Sequence, residues 1–465
     1  MQSRRDQVQA QSYVLGRLTA ALVSADPDGL EGPHRRTTSG TIYGTILAAL
    51  IVAGFAVFGY IVPGGSSKWQ QPGVLVVEKE TGTRYVYVDG LLRPVLNYAS
   101  ARLLFAKNPK TVLVSQRSLA AVPHGQPIGI VGAPDALPAG GAVEDQVWTV
   151  CALATKDQAG TLFTSTVLKI EKVDAQSRRD RPLSPDQAIV VAAGGQRFLV
   201  WHGVRLRLGA PWLARILGYD HDAFPVEAGW LESVPVGPDL TAVAVPSRGI
   251  DGPIVDGRRA KVGELFVART VGGADRHYLL QADGLAELTP VEYAIASADP
   301  GTAQVYAGRP VQPTELSNSA LIGLPVSRAQ GLPSTLPRTP PELLPLQAGG
   351  TWCVRQAVAD GSVEVTAEPS STAAVHATPE GAGVNRTSRT AAAVTVQAGV
   401  GGLVVAGRAG QVGGPPYYLV TDSGVKYPMA GADVANRLGY PAAGATPVPR
   451  QLLDMLPTGP LLEFG

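Results

Sequence analysis

Hydrophobic and polar positions alternate along this chain in three different ways, and each predicts a different kind of element. Residues 42–62 form an unbroken run without a single charge, built from Gly, Ala, Ile, Leu, Val, Phe, Tyr and Thr. At 1.5 Å rise per residue such a run covers about 30 Å, the hydrocarbon thickness of a bilayer. A buried core helix would normally carry a polar stripe, so the run predicts a membrane span, assigned to 41–63. Some 40 residues precede it, which marks an uncleaved signal anchor rather than a removable signal peptide. Within those first residues Val14, Leu15, Leu18, Ala21 and Leu22 recur at helical spacing, with Gln11 and Arg17 between them. They predict an amphipathic helix in segment 1–40, ended by Asp26-Pro27-Asp28-Gly29. Its apolar face needs a cover, either the membrane surface or a cytoplasmic subunit.

Beyond the span the period shortens to two, and the pattern repeats. Four times an alternating strand runs into a hairpin whose tip ends in glycine: Asp89-Gly90, His202-Gly203, Asp283-Gly284 and Ser423-Gly424. A two-residue turn with positive φ calls for glycine at its second position. The second and fourth copies align at a shift of 221, where Leu217-Gly218-Tyr219 meets Leu438-Gly439-Tyr440. One inserted residue later Pro225-Val226 meets Pro447-Val448, and Pro235, Gly237 and Pro238 meet Pro457, Gly459 and Pro460. The first copy joins at a shift of 112 through Val114, Leu119, Val122, Pro123 and Gly125. The third is the most degraded and keeps the hairpin and Pro310-Val311. Each repeat thus reads as strand, hairpin, short helix and a tail punctuated by Pro and Gly. The ranges are 74–130, 189–240, 264–325 and 401–465, with helices expected at 100–105, 212–217, 291–295 and 434–438. A three-stranded sheet with one helix buries its face poorly alone, so neighbouring repeats must cover one another.

Between the first and second repeats lies Trp148-Thr149-Val150-Cys151, and between the third and fourth lies Trp352-Cys353-Val354. The order of repeat, Cys strand and repeat occurs twice, which implies an ancient duplication. Segments 131–188 and 326–400 would then meet in one central β domain, with Cys151 and Cys353 bonded near a pseudo-twofold axis. Two unpaired buried thiols are the alternative. Residues 330–345, studded with proline, and 367–390, rich in Ala, Ser, Thr and Gly, read as mobile linkers. The connector 241–263 reads as irregular surface. Asn385-Arg386-Thr387 is formally a glycosylation sequon, a tripeptide common by chance. The fold class expected is therefore a single-pass membrane protein with a β-rich α+β region of four hairpin-plus-helix repeats around a central disulfide-linked β domain.

Composition sharpens this picture. The 465 residues carry 39 basic and 38 acidic side chains, a balance without the basic footprint of a nucleic-acid binder. Glycine (54) and proline (38) together favour short strands and turns. Two cysteines are too few for a small disulfide scaffold. Arg35 and Arg36 stand just before the span, with Arg4, Arg5 and Arg17 further back, whereas Lys68 alone follows closely. The positive-inside bias puts the N-terminus in the cytoplasm and the bulk outside, where oxidising conditions permit a disulfide. Trp69 is a candidate for the outer headgroup boundary, though a lone tryptophan is as often ordinary surface.

Candidate chemistry is sparse. None of the nine lysines follows a glycine, so the Gly-Lys-Ser/Thr cradle of a P-loop is missing. Neither H-E-x-x-H nor G-x-S-x-G occurs. The six histidines, His34, His124, His202, His221, His277 and His376, are scattered; His202 takes a hairpin tip where its siblings have Asp and Ser. Asp251-Gly252 and Asp256-Gly257 look like fragments of a calcium loop, but without further spaced carboxylates they read as turns. No catalytic, cofactor-binding or metal-binding residue is assigned, and no cofactor is expected.

Taken together, Arg4-Arg5-Asp6-Gln7-Val8-Gln9-Ala10, the amphipathic helix, one span near residue 50 and a large outer part with hairpin repeats and two cysteines resemble the EccB family of type VII (ESX) secretion, nearly end to end. The resemblance implies an elongated extracytoplasmic region of four repeats around a disulfide-bonded centre, with Cys151 and Cys353 carrying over as the bridge. It also implies a place in the plasma-membrane core complex beside the ATPase EccC, the channel-forming EccD, and EccE, with the mycosin protease nearby. The loose third repeat and the insertion at 367–390 depart from that pattern. Function is then expected to be scaffolding of protein export, with repeat surfaces contacting other subunits and copies of the same chain. An envelope enzyme, since ATP hydrolysis has been proposed within the family, or a cell-wall-binding module are the alternatives.

Overall fold

The computed structural model describes residues 4–25, 34–61, 67–105, 108–139, 143–156, 160, 162–173, 181–220, 223–269, 273–329, 331–369, 381–407 and 416–464. The expected helix stop at Asp26-Pro27-Asp28-Gly29 and residues 370–380 of the insertion fall outside these residues, whereas 367–369 end a strand and Asn385 pairs with Thr458. The chain divides into two compact units, residues 1–93 with 111–125, and residues 94–110 with 126–465.

In the first unit the helix Arg4–Ser24 forms where the helical spacing predicts, and Val14, Leu15, Leu18 and Leu22 all lie exposed on it. A second helix, His34–Ile61, contains residues 42–61 of the apolar run, and its segment Thr37–Gly59 is long and apolar enough to cross a membrane. Ile46, Leu50, Phe55 and Phe58 are uncovered by protein, as a lipid-facing surface requires. A small sheet follows, with strand order Leu91–Pro94, Arg84–Val88, Val74–Glu78, Lys110–Val114. Trp69 is buried in its core against Val74, Val76, Leu92 and Leu119, its ring edge-on to Tyr87 at 5.4 Å. That corrects its reading as a headgroup anchor: the turn Ser67–Gln70 packs onto the sheet.

The second unit contains three more small sheets of the same order. In each, a three-stranded antiparallel meander takes a fourth short strand parallel to its first: Phe224–Pro225 on Gln187–Ala193, Thr314–Glu315 on Leu265–Ala268, and Thr446–Val448 on Gly402–Ala406. A second short helix follows each time, at Ala228–Ser233, Asn318–Gly323 and Arg450–Asp454. The third sheet shows that the alignment through Pro310-Val311 is wrong. Thr314-Glu315 takes the place of the Pro-Val pair, displaced by an extra helix at Pro300–Val305. Turns also vary. Asp89-Gly90 and His202-Gly203 have positive φ at both residues, as a tight hairpin requires. In the third hairpin Ala282-Asp283 makes the turn and Gly284 already pairs with Gln281. The fourth widens to a longer loop closed by Thr421 and Val425.

The first helices of the small sheets pack in pairs. Tyr98–Leu104 lies on Ala432–Leu438, burying Ala99 and Leu103 with Val434, Ala435 and Leu438. Arg102 donates to Leu438 O at 3.0 Å and Arg437 to Phe105 O at 2.7 Å, so each helix end is capped by a cation from the other. Likewise Pro211–Ile216 lies on Pro290–Ala298, through Leu213, Leu217, Val291 and Ile295. The latter helix starts on a capping box, Thr289 with Glu292, and a proline at its first turn.

Two stretches read as loose from sequence are ordered. Residues 331–345 pack rather than move: Leu336 is buried in the core of the second sheet, Glu342–Leu343 pairs with Gln187–Ala193, and Tyr219 donates its hydroxyl proton to Pro341 O at 2.9 Å. The connector 241–263 contains a hairpin, Asp251–Val255 with Arg258–Lys261. Asp256 at its tip accepts from Ser317 N–H at 3.0 Å and from the Ser317 hydroxyl, which hold its carboxyl below the usual range.

A six-stranded sheet occupies the middle of this unit, in the order Ala393–Val396, Leu162–Lys172, Gln146–Lys156, Gly350–Ala357, Val363–Pro369, Arg181–Pro182. Strand alternation puts Trp148, Val150, Leu168, Ile170, Trp352 and Val354 on one face. The helices Ala228–Ser233 and Arg450–Asp454 cover that face with Trp230, Leu231, Leu452 and Leu453. Trp230 is fully buried and donates its indole proton to Trp352 O at 3.0 Å. Trp230→Ala is expected to cost about 3–5 kcal/mol, measured as a fall in the denaturation midpoint. Burial also pushes Tyr440 up to about 12 and raises Tyr427 and Tyr306. A raised folded value stabilises the protein fully below the ordinary tyrosine value of 10, and that contribution is lost as pH climbs from 10 through about 12. The unfolding midpoint should therefore fall steeply over that window, and less steeply in Tyr440→Phe.

Candidate functional site

The cysteines meet in the middle of the six-stranded sheet. Strands Gln146–Lys156 and Gly350–Ala357 pair antiparallel with Cys151 directly opposite Cys353, Val150 opposite Val354 and Trp148 opposite Gln356. This register brings the two sulfurs to 2.09 Å, disulfide distance, with both residues buried. Alternation sends them to the face opposite Trp148 and Val150. There Lys169 and Glu368, from the flanking strands, form an ion pair at 3.5 Å, and a Glu368 carboxylate oxygen stands 4.0 Å from Cys151 Sγ. The pair spans the two cysteine strands, and its carboxylate opposes the approach of an anionic thiolate to the sulfurs. Sequence reading missed this pair, because Lys169 and Glu368 are 199 residues apart and nothing local marks either.

Among the described residues, Cys151, Cys353 and Glu368 are the one group whose donor atoms cluster as metal ligands would. Sulfurs bonded to each other are not thiolates, so this geometry suits a bridge and not an ion. Three of the histidines engage aromatic rings, while His221 and His376 lie outside the described residues. His202 stacks on Trp201 at 3.9 Å, His277 on Tyr293 at 3.7 Å, and His124 meets Tyr85 edge-on at 5.3 Å. Burial lowers the pKa of His277 against the opposing charge of Asp275. His202 does sit at a hairpin tip, as expected, and its Nε2 is 3.0 Å from Pro185 O. Lys426 is the most enclosed amine among the described residues, with its Nζ donating to Leu453 O at 2.5 Å and lying 3.9 Å from Asp454 and 5.7 Å over the Tyr418 ring. Desolvation lowers its pKa. Its position ties the hairpin of the fourth sheet to the tail helix, a structural task.

What the structure brings together is a stapled sheet and a set of interlocked helices. The comparison that decides the family is the length over which it holds: the family model for type VII secretion system ESX-1, transport TM domain B, matches residues 1–464. The chain belongs to the EccB family. It is 27% identical to the "ESX-3 secretion system ATPase EccB3" of Mycolicibacterium smegmatis, over 99% of this chain and 89% of that protein. A chain of an intact ESX-5 inner membrane complex shares its fold with a TM-score of 0.65 at 23% identity, over 100% of this chain and 94% of that one. The EccB3 dimer from the ESX-3 core complex is similar with a TM-score of 0.64 at 25% identity, over 84% of this chain and 98% of that one.

Two sulfurs at bonding distance predict that the denatured, unreduced protein offers no thiol to an alkylating reagent, and that two are labelled after reduction. Closing a loop of 202 residues constrains the unfolded chain by at most about 5 kcal/mol. Cys151→Ala with Cys353→Ala should lower the denaturant midpoint accordingly, read by tryptophan fluorescence.

Proposed function

We propose that this chain is an assembly subunit of a type VII secretion membrane complex, holding other components in place for protein export across the plasma membrane. The observation that carries the proposal is the family match over residues 1–464, together with solved relatives that belong to ESX inner membrane complexes and form a dimer. The first helix faces the cytoplasm, Thr37–Gly59 spans the bilayer, and the stapled bulk stands outside. The arginines before the span and the oxidising environment that a cysteine bridge needs both support this sidedness. The bulk is read as four repeats in two duplicated halves. Support comes from the four sheets of like order and from the two helix pairs, each joining a helix before residue 241 to one after residue 264. Cys151 and Cys353 link the halves covalently. Partners are taken to be EccC, EccD, EccE and the mycosin protease, with a second copy of the chain.

Scaffolding is preferred over ATP hydrolysis, although relatives have "ATPase" in their names. Hydrolysis needs donors that cradle the phosphates and a group that orients water, and no lysine here follows a glycine. An outer domain would also work where ATP is scarce. Protease added to intact spheroplasts should digest the bulk and spare the first helix; digestion of the first helix alone would reverse the sidedness. The detergent-solubilised chain should co-purify with EccC and EccD and turn over no ATP, whereas a single-chain particle with nucleotide turnover would favour the enzyme.

A further inference from the structure

In all four small sheets the tail closes the unit through the same pair of hydrogen bonds. Pro123 O, Pro235 O, Pro325 O and Pro457 O accept from the N–H of Leu92, Arg205, Leu285 and Lys426, at 2.9, 2.8, 2.8 and 3.0 Å. Two residues on, the N–H of Gly125, Gly237, Ser327 and Gly459 donates back to the same four residues, at 2.9 Å in every case. Each tail is therefore a one-residue edge strand. Its middle residue, His124, Val236, Val326 or Thr458, turns its own N–H and C=O away from the sheet.

At Thr458 that outward pair is taken within the chain. Asn385 lies antiparallel to it, donating to Thr458 O at 2.8 Å and accepting from Thr458 N at 2.9 Å. A charge keys the covering segment in place: Arg389 reaches Asp454, four residues before Thr458, at 3.5 Å, and Glu232 at 3.9 Å. At Val326 the same outward pair has no partner among the described residues, and the side chain is 82% exposed. The position equivalent to Asp454 is Ile322, 85% exposed. An open main-chain edge flanked by two bare aliphatic side chains is how sheets recruit an extended peptide. The Val236 edge differs, because its equivalent residue is the anionic Glu232, already facing Arg389.

We propose that the Val326 edge receives an extended segment of a partner polypeptide, laid antiparallel as residues 384–386 lie on Thr458, with an apolar residue against Ile322 where the internal segment has Arg389. The outward N–H and C=O select a peptide backbone, and Ile322 selects against a charge, which would be desolvated there without a counterion. The proposal rests on reading the repeat surfaces as contacts. Its test does not depend on the side of the membrane, so either reading can fail alone.

The probe is a fluorescent peptide of residues 383–390 bearing Arg389→Ile, titrated into the full-length, detergent-solubilised protein and read by anisotropy. It should bind at least about tenfold more tightly than the unaltered peptide. Val326→Pro removes only the outward N–H, since the bonds of Pro325 and Ser327 remain, and should weaken binding about tenfold or more. Ile322→Asp leaves the backbone untouched and should reverse the preference in favour of the arginine peptide. Absence of binding, or binding indifferent to Val326→Pro and Ile322→Asp, overturns the proposal. So does concentration-dependent self-association that Val326→Pro abolishes while neither peptide binds, which would give the edge to a second copy.

Discussion

Two strands 202 residues apart in sequence pair with Cys151 opposite Cys353, and the rest of the second unit takes its arrangement from that register. A slip by one residue would carry Trp352 and Val354 to the face that holds the cysteines. It would expose the apolar surface that Trp230, Leu231, Leu452 and Leu453 now cover. Pairing over so long a loop is entropically costly to form, and the packing of two tail helices on one sheet face is what offsets it. The helix pairs repeat the same logic further out. Leu213 meets Ile295 and Leu103 meets Leu438, each a contact between distant parts of the chain.

Such a body is suited to hold position. Its enclosed polar groups serve architecture: Lys426 joins hairpin to tail, Arg102 and Arg437 cap each other's helices, and the stacked histidines fill sheet surfaces. What it offers outward is the edges of its small sheets. The chain belongs to the EccB family, whose solved relatives are parts of ESX inner membrane complexes.

Much of this was legible in the amino-acid order. The apolar run at 42–62, the glycine-tipped turns after Val88 and Trp201, the four first helices to within three residues at either end, and the facing Trp-Cys strands all follow from periodicity and turn chemistry. Readings failed where tertiary contacts overrode composition. Leu336 and Leu343 tie a proline-rich stretch into a core that no local rule reveals, and Trp69 is claimed by a sheet whose strands lie further along the chain. The third copy misled because Thr314-Glu315 fills a strand position that Pro-Val fills elsewhere. The tail helices escaped notice because five or six residues are too few to show a helical period. No local signal exists for Lys169 with Glu368, whose meeting depends on the sheet order itself.

Amide hydrogen exchange on the full-length protein tests the central claim most directly. If the two cysteine strands form one cooperative core, amides of residues 147–154 and 351–356 will be the slowest in the protein and will exchange at a common rate, set by opening of the whole unit. Amides of one strand exchanging about a hundredfold faster than those of the other, beyond the spread expected within one cooperative unit, would show that the halves open independently and contradict it.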